Sequence, residues 1–130
     1  MSDRTKQAVA LYRRALEDLI LLRKVLDDRE VSDNIWGFHA QQAVEKCLKA
    51  LLATQDVDFP FSHRLYELAD LLAERRRPLP AEFAILLDLT PFAVEMRYAL
   101  DASTGRLPTT RQSLLRLIDG LVQLVQRAVE

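Results

Sequence analysis

The sequence predicts an all-α fold, an antiparallel up-and-down helical bundle of about five helices, and three observations carry that expectation. Apolar residues recur at the helix period in one stretch after another. Glycine and proline are scarce, at three and five of 130 residues. The densest β-branched and aromatic run, Asp56-Val57-Asp58-Phe59-Pro60-Phe61, carries a proline and suits a connection better than a sheet strand.

In the first stretch Ala8, Leu11, Tyr12, Ala15, Leu19, Leu22 and Leu26 follow one helix face over about six turns. Asp27-Asp28-Arg29-Glu30 ends it, and Ser32 or Asp33 is placed to cap the next helix. The second stripe, Trp36, Ala40, Ala43, Cys47 and Leu51, widened by Val44, Leu48 and Leu52, predicts a central helix ending near Thr54 or Gln55. Ser62 is the expected cap of a shorter third helix that buries Leu65, Leu68, Ala69 and Leu72 and holds Arg75-Arg76-Arg77 in its last turn. Cations there complement the helix dipole.

A fourth helix begins with Phe83, Leu86 and Leu87 and is broken near Pro91, since proline removes a backbone donor and clashes with the preceding turn. Its second half is expected from Phe92 to about Leu100. After a loop around Gly105, Thr109 and Gln112 have the spacing of a capping box, and Leu114, Ile118, Leu121, Val125 and Ala128 mark the last helix. Gly37 and Gly120 cost helix propensity where they stand, and close backbone approach would compensate.

With hydrophobic residues at 49% and charged residues at 28%, the chain can bury a core, and residues 1–130 read as one domain. A net charge of -1 gives no whole-molecule attraction to polyanions, so any such site must be local. The lone Cys47, in an apolar stripe, reads as a buried, unreactive thiol in a reducing compartment. No apolar run reaches the roughly 20 residues that cross a bilayer, and the N-terminus leads into an amphipathic helix without a secretory signal. A cytoplasmic protein off the membrane is expected.

His39, Gln42, Lys46 and Lys49 share one polar face of the second helix. Two amines, an amide and an imidazole could hold phosphate oxygens or a base edge, or the face could simply be solvated, with Glu45 and Lys49 pairing at i, i+4. Two histidines, with no helical His or Cys pair, offer no metal ligand set, and no cofactor is expected. Trp36 and Phe38, bracketing Gly37, could complete the core or face a second subunit.

The run Phe38-His39-Ala40-Gln41-Gln42-Ala43-Val44-Glu45-Lys46-Cys47-Leu48-Lys49-Ala50 resembles the second-helix signature of HEPN domains. Ser62-His63-Arg64-Leu65-Tyr66-Glu67-Leu68 resembles the family's S/T-H-x-L-x-x-L segment, and Glu95-Met96-Arg97-Tyr98 its E-x-R-Y turn before the final helix. The three occur in family order and span nearly the whole chain.

The resemblance implies a helical bundle, often a homodimer, found beside a small nucleotidyltransferase and described within toxin–antitoxin pairs. Many active members are metal-independent ribonucleases with an arginine followed after four to six residues by a histidine. Here Arg97 is followed at those positions by Ala102, Ser103 and Thr104, and Arg106 by Arg111, Gln112 and Ser113. The motif histidine is absent.

The first expectation is therefore a nucleotide- or RNA-binding protein using His39, Gln42, Lys46, Lys49 and Arg97. An RNA endonuclease with Arg97 on the phosphate and His63 or His39 as general base is the alternative. A structural dimerisation module is the third.

Overall fold

Three hydroxyl side chains open the three long helices. The Ser2 Oγ accepts from the Thr5 amide at 3.1 Å, the Ser32 Oγ from the Ile35 amide at 3.2 Å and the Thr110 Oγ1 from the Ser113 amide at 3.1 Å. Each satisfies one of the free amides of a first helical turn, a contribution of about 1 kcal/mol. The helices that follow are α1 (Asp3–Lys24), α2 (Asp33–Thr54) and α4 (Arg111–Val129), with the shorter α3 (Leu65–Glu74) between α2 and α4. The structure, a computed structural model, describes residues 1–93 and 106–130.

The regular secondary structure among the described residues is all helical, with no strand, in keeping with the expected helical bundle. α1 packs chiefly on α2, and α2 also meets α3, α4 and a 3-10 helix at Ala81–Phe92. The core follows from that centrality. Trp36, Ala40, Ala43, Val44, Cys47, Leu48 and Leu52 of α2 are buried between Leu19 and Leu22 of α1, Leu68 and Leu72 of α3, and Leu114, Ile118 and Val125 of α4. The Trp36 Nε1 donates to the Leu22 carbonyl at 3.4 Å, so this bulky side chain belongs to the core of its own chain.

Four local expectations are corrected. Ser62 does not cap α3: the N-cap is Arg64, which makes no side-chain cap bond. The Leu65 amide instead donates to the Thr90 Oγ1 at 3.2 Å, a cap supplied from 25 residues away and invisible to local pattern. The triple arginine lies past the last turn of α3, with Arg75 at the C-cap. There the Arg77 amide reaches back to the Leu72 carbonyl at 3.1 Å and Arg76 takes a left-handed φ of 59°. The fourth helical stretch is 3-10 from Ala81 to Phe92, with Pro91 inside its last turn, and not an α-helix from Phe83. The last helix is capped by Thr110, one residue beyond Thr109. The expected continuation from Phe92 to Leu100, with Glu95, Arg97 and Tyr98, lies outside the described residues apart from its first two positions.

Arg111, in the first turn of α4, ties the bundle end together. Its guanidinium donates to the Asp33 Oδ1 at 3.0 Å and to the Val31 carbonyl at 2.6 Å. It also reaches the carbonyls of Leu26 and Asp28 at 3.4 and 3.3 Å, and lies 5.7 Å from the Trp36 ring centre. The loop after α1 and the first turn of α2 thus share one cation, which meets loop carbonyls and the Asp33 carboxylate.

Gly37 is required by close approach. A Cβ there would stand 2.4 Å from the Phe92 ring, inside van der Waals contact, whereas a Cβ at Gly120 would meet the Phe83 ring at an ordinary 3.4 Å. Alanine gains about 1 kcal/mol over glycine in a helix interior, but overpacking a core costs about 1–3 kcal/mol. Gly37→Ala should therefore lower the stability and Gly120→Ala raise it or leave it level. Urea denaturation midpoints of the two variants check this, and equal responses would contradict the packing.

Candidate ligand-binding site

Two carboxylates organise the polar side of α2. Asp18 of α1 accepts from the Lys46 Nζ at 2.7 Å through one oxygen and from the His39 Nδ1 at 3.3 Å through the other. Glu45, whose side chain is only 7% exposed, accepts from the Lys49 Nζ at 3.0 Å, the Gln41 Nε2 at 3.0 Å and the His63 Nδ1 at 2.8 Å. Gln42 joins the network by donating to the Gln41 Oε1 at 2.8 Å. The expected stripe of His39, Gln42, Lys46 and Lys49 is thus brought together, but its amines are already engaged. Lys46 and Lys49 each face a carboxylate, so the four groups form an electrically balanced patch and not a bare cationic surface.

The loop from Gln55 to Arg64 brings His63 to Glu45, and its placement is fixed at several points. Asp56 adopts a left-handed φ of 59° past the end of α2, which lets the Val57 amide bond the Leu52 carbonyl at 3.1 Å. Arg4 of α1 donates to the Val57 carbonyl at 3.1 Å and pairs with Asp58. The Lys49 ammonium lies 5.7 Å from the Phe59 ring centre, a cation–π contact, and the Gln41 amide donates to the His63 carbonyl at 3.1 Å. The side chain of His63 remains half exposed, beside an open groove lined by Arg64, Tyr66, Thr90, Pro91 and Ala93. Arg97 lies outside the described residues.

A carboxylate only accepts hydrogen bonds, so both histidines donate through Nδ1–H, and in the neutral ring Nε2 is the basic nitrogen. For His63, no described group bonds that Nε2. His39 also packs edge-on against Phe38, with ring centres 5.3 Å apart. Cys47 is fully buried, and burial, with the charge of Asp18 nearby, pushes its thiol well above the ordinary range, so it is neither nucleophile nor ligand at neutral pH. The described residues contain no group of three or more His, Cys, Asp or Glu that could hold a metal ion, and none of their helices is long and apolar enough to cross a membrane.

Sequence reasoning named the four stripe residues and His63, but gave no role to Asp18 and did not foresee Glu45 as the acceptor of His63. The chain matches the HEPN domain family over residues 8–128, nearly its full length. It belongs to that family. The match spans both the second-helix signature and the Ser62-to-Leu68 segment, so in this HEPN domain the two family segments meet through the Glu45–His63 contact. No curated protein and no solved structure is detectably similar to the chain.

Burial alone would raise the Glu45 carboxyl, but the bonds from Gln41, His63 and Lys49 together with the Lys49 charge outweigh it and hold the group below its ordinary 4.5. A carboxyl whose folded pKa is depressed stabilises the fold above its unfolded value, and that stabilisation is lost as the pH falls through the folded pKa. Wild-type melting temperature should therefore fall more steeply below about pH 4.5 than that of Glu45→Gln. At pH 7 the variant should be less stable by roughly 1–3 kcal/mol. Parallel acid limbs in the two pH series would show that Glu45 is not the linked group.

Proposed function

We propose that this HEPN domain is a nucleotide- or RNA-binding component of a nucleotidyltransferase-linked system of the toxin–antitoxin type, cytoplasmic and homodimeric, and without the arginine–histidine ribonuclease motif. The supporting observation is the pair of carboxylate-centred clusters on α2, Asp18 with His39 and Lys46, and Glu45 with Gln41, Lys49 and His63. Desolvating carboxylates is costly and adds little to stability even when they are paired, so such clusters are common where a ligand is recognised. Each carboxylate holds its lysine and imidazole ready for phosphate oxygens, and Arg97 supplies the further cation that tips a balanced patch toward an anion.

Titration of the protein with ATP and with a fluorescent single-stranded RNA tests this. Lys46→Met, which keeps the aliphatic stem and leaves Asp18 paired with His39, should weaken binding by about tenfold, the loss of one charge-assisted bond. Its melting temperature should change little. Wild-type protein that binds neither probe, or a variant that binds as well as wild type, would remove the site.

One observation favours a second reading, metal-independent RNA cleavage. Glu45 orients His63 through Nδ1, as a carboxylate orients a general base, and leaves Nε2 to take the proton of a ribose 2′-hydroxyl. The 2′-oxygen then attacks the adjacent phosphorus and displaces the 5′-oxygen, which takes a proton from water, giving a 2′,3′-cyclic phosphate and a free 5′-hydroxyl, with Arg97 against the phosphate charge. Cleaved RNA should carry those ends, and His63→Ala should slow cleavage by about 10²-fold or more. Intact RNA after long incubation with wild-type protein would leave binding alone.

A further inference from the structure

The groove beside His63 lies between α3 and the 3-10 helix, and its volume of about 960 Å³ is within the range of small-molecule sites, roughly 300–1,000 Å³. Most of the polar groups that line it are already committed. The His63 ring donates to Glu45, Glu67 accepts from the Ser62 hydroxyl at 2.9 Å, and the Thr90 hydroxyl accepts from the Leu65 amide and donates to the Leu87 carbonyl at 2.8 Å. The Tyr66 hydroxyl donates to Asp88 of the 3-10 helix. Two lining groups are left over. Among the described residues nothing bonds or pairs with the Arg64 guanidinium or with the Asp70 carboxylate.

These two charges are of opposite sign and flank an aromatic ring in sequence. Arg64 is the N-cap of α3 and Asp70 lies in its second turn. Tyr66 stands between them, one turn before Asp70 on the same side of the helix, and is 51% exposed. Its bond to Asp88 fixes the ring across the gap between α3 and the 3-10 helix. The same bond pushes the phenol's pKa up, so its proton stays with Asp88 and is not offered to a ligand.

A ligand that answers both charges carries an anion at one end and hydrogen-bond donors at the other, because a carboxylate only accepts. An exposed ring between them favours a flat group that stacks on it. A nucleotide has that form, with its phosphate toward Arg64 and His63, the end that adjoins the Glu45 cluster, and its base over Tyr66 with one edge at Asp70. The bases differ in what that edge presents. Guanine alone offers two adjacent donors, N1–H and the 2-amino group, which match the two carboxylate oxygens as a bidentate pair. Adenine and cytosine set a ring-nitrogen lone pair beside their amine, and uracil sets its single N3–H between two carbonyls, so each turns an acceptor toward one carboxylate oxygen. We infer that the groove is a guanine-reading subsite, in which Asp70 sets the base specificity and Tyr66 is the stacking platform. That assignment rests on the nucleotide-binding reading of the neighbouring cluster and adds the base to it.

Isothermal titration with the four ribonucleoside 5′-monophosphates tests the subsite. GMP should bind at least about tenfold more tightly than AMP, CMP or UMP, and IMP, which lacks the 2-amino group, should bind several-fold more weakly than GMP. Asp70→Asn should erase the preference for GMP without weakening AMP, and its melting temperature should not change, since the side chain is exposed. Tyr66→Leu should weaken all four alike, and Arg64→Met should weaken GMP but not the nucleoside guanosine. Four monophosphates that bind equally, IMP that binds as GMP does, or an Asp70→Asn variant that keeps the preference would overturn the guanine subsite while the nucleotide-binding reading stood. Binding of none of the four would remove both.

Discussion

The buried carboxylate of Glu45 is the constraint around which the candidate site is built. A charge on the central helix, almost out of water, must be met by donors or the helix cannot pack as it does. Three side chains meet it, and they come from two places: Gln41 and Lys49, one turn to either side on α2, and His63 from the loop that follows. The two helical partners are a consequence of i, i+4 spacing. His63 is a tertiary partner, and the demand of Glu45 for a donor helps decide where the Gln55-to-Arg64 loop lies.

Asp18 repeats the arrangement beside it, with α1 supplying the acid and α2 both donors. The side of α2 that carries the polar stripe is consequently partly covered, and Lys46 spans from helix to helix. An amine tied to a carboxylate is less available to a ligand but better positioned, because its long side chain no longer samples many rotamers. On the proposed reading, recognition at such a patch would proceed by exchange, a phosphate oxygen taking over part of what the carboxylate provides.

The helical elements were legible because their signals are local. Stripes at the helix period marked α1, α2 and α4 to within a few residues, and of the two caps the sequence offered for α2, Ser32 and Asp33, it is Ser32 that serves. What local pattern missed was the cap of α3, supplied by Thr90, and the geometry of the Ala81–Phe92 stretch, which is 3-10 where an α-helix was expected. Both depend on neighbours distant in sequence. The site divided in the same way: spacing placed His39, Gln42, Lys46 and Lys49 on one face, but nothing in the run around Asp18 marked it as their acceptor. Arg111, with no periodic signature, likewise showed its role only once the ends of α1 and α2 stood beside it.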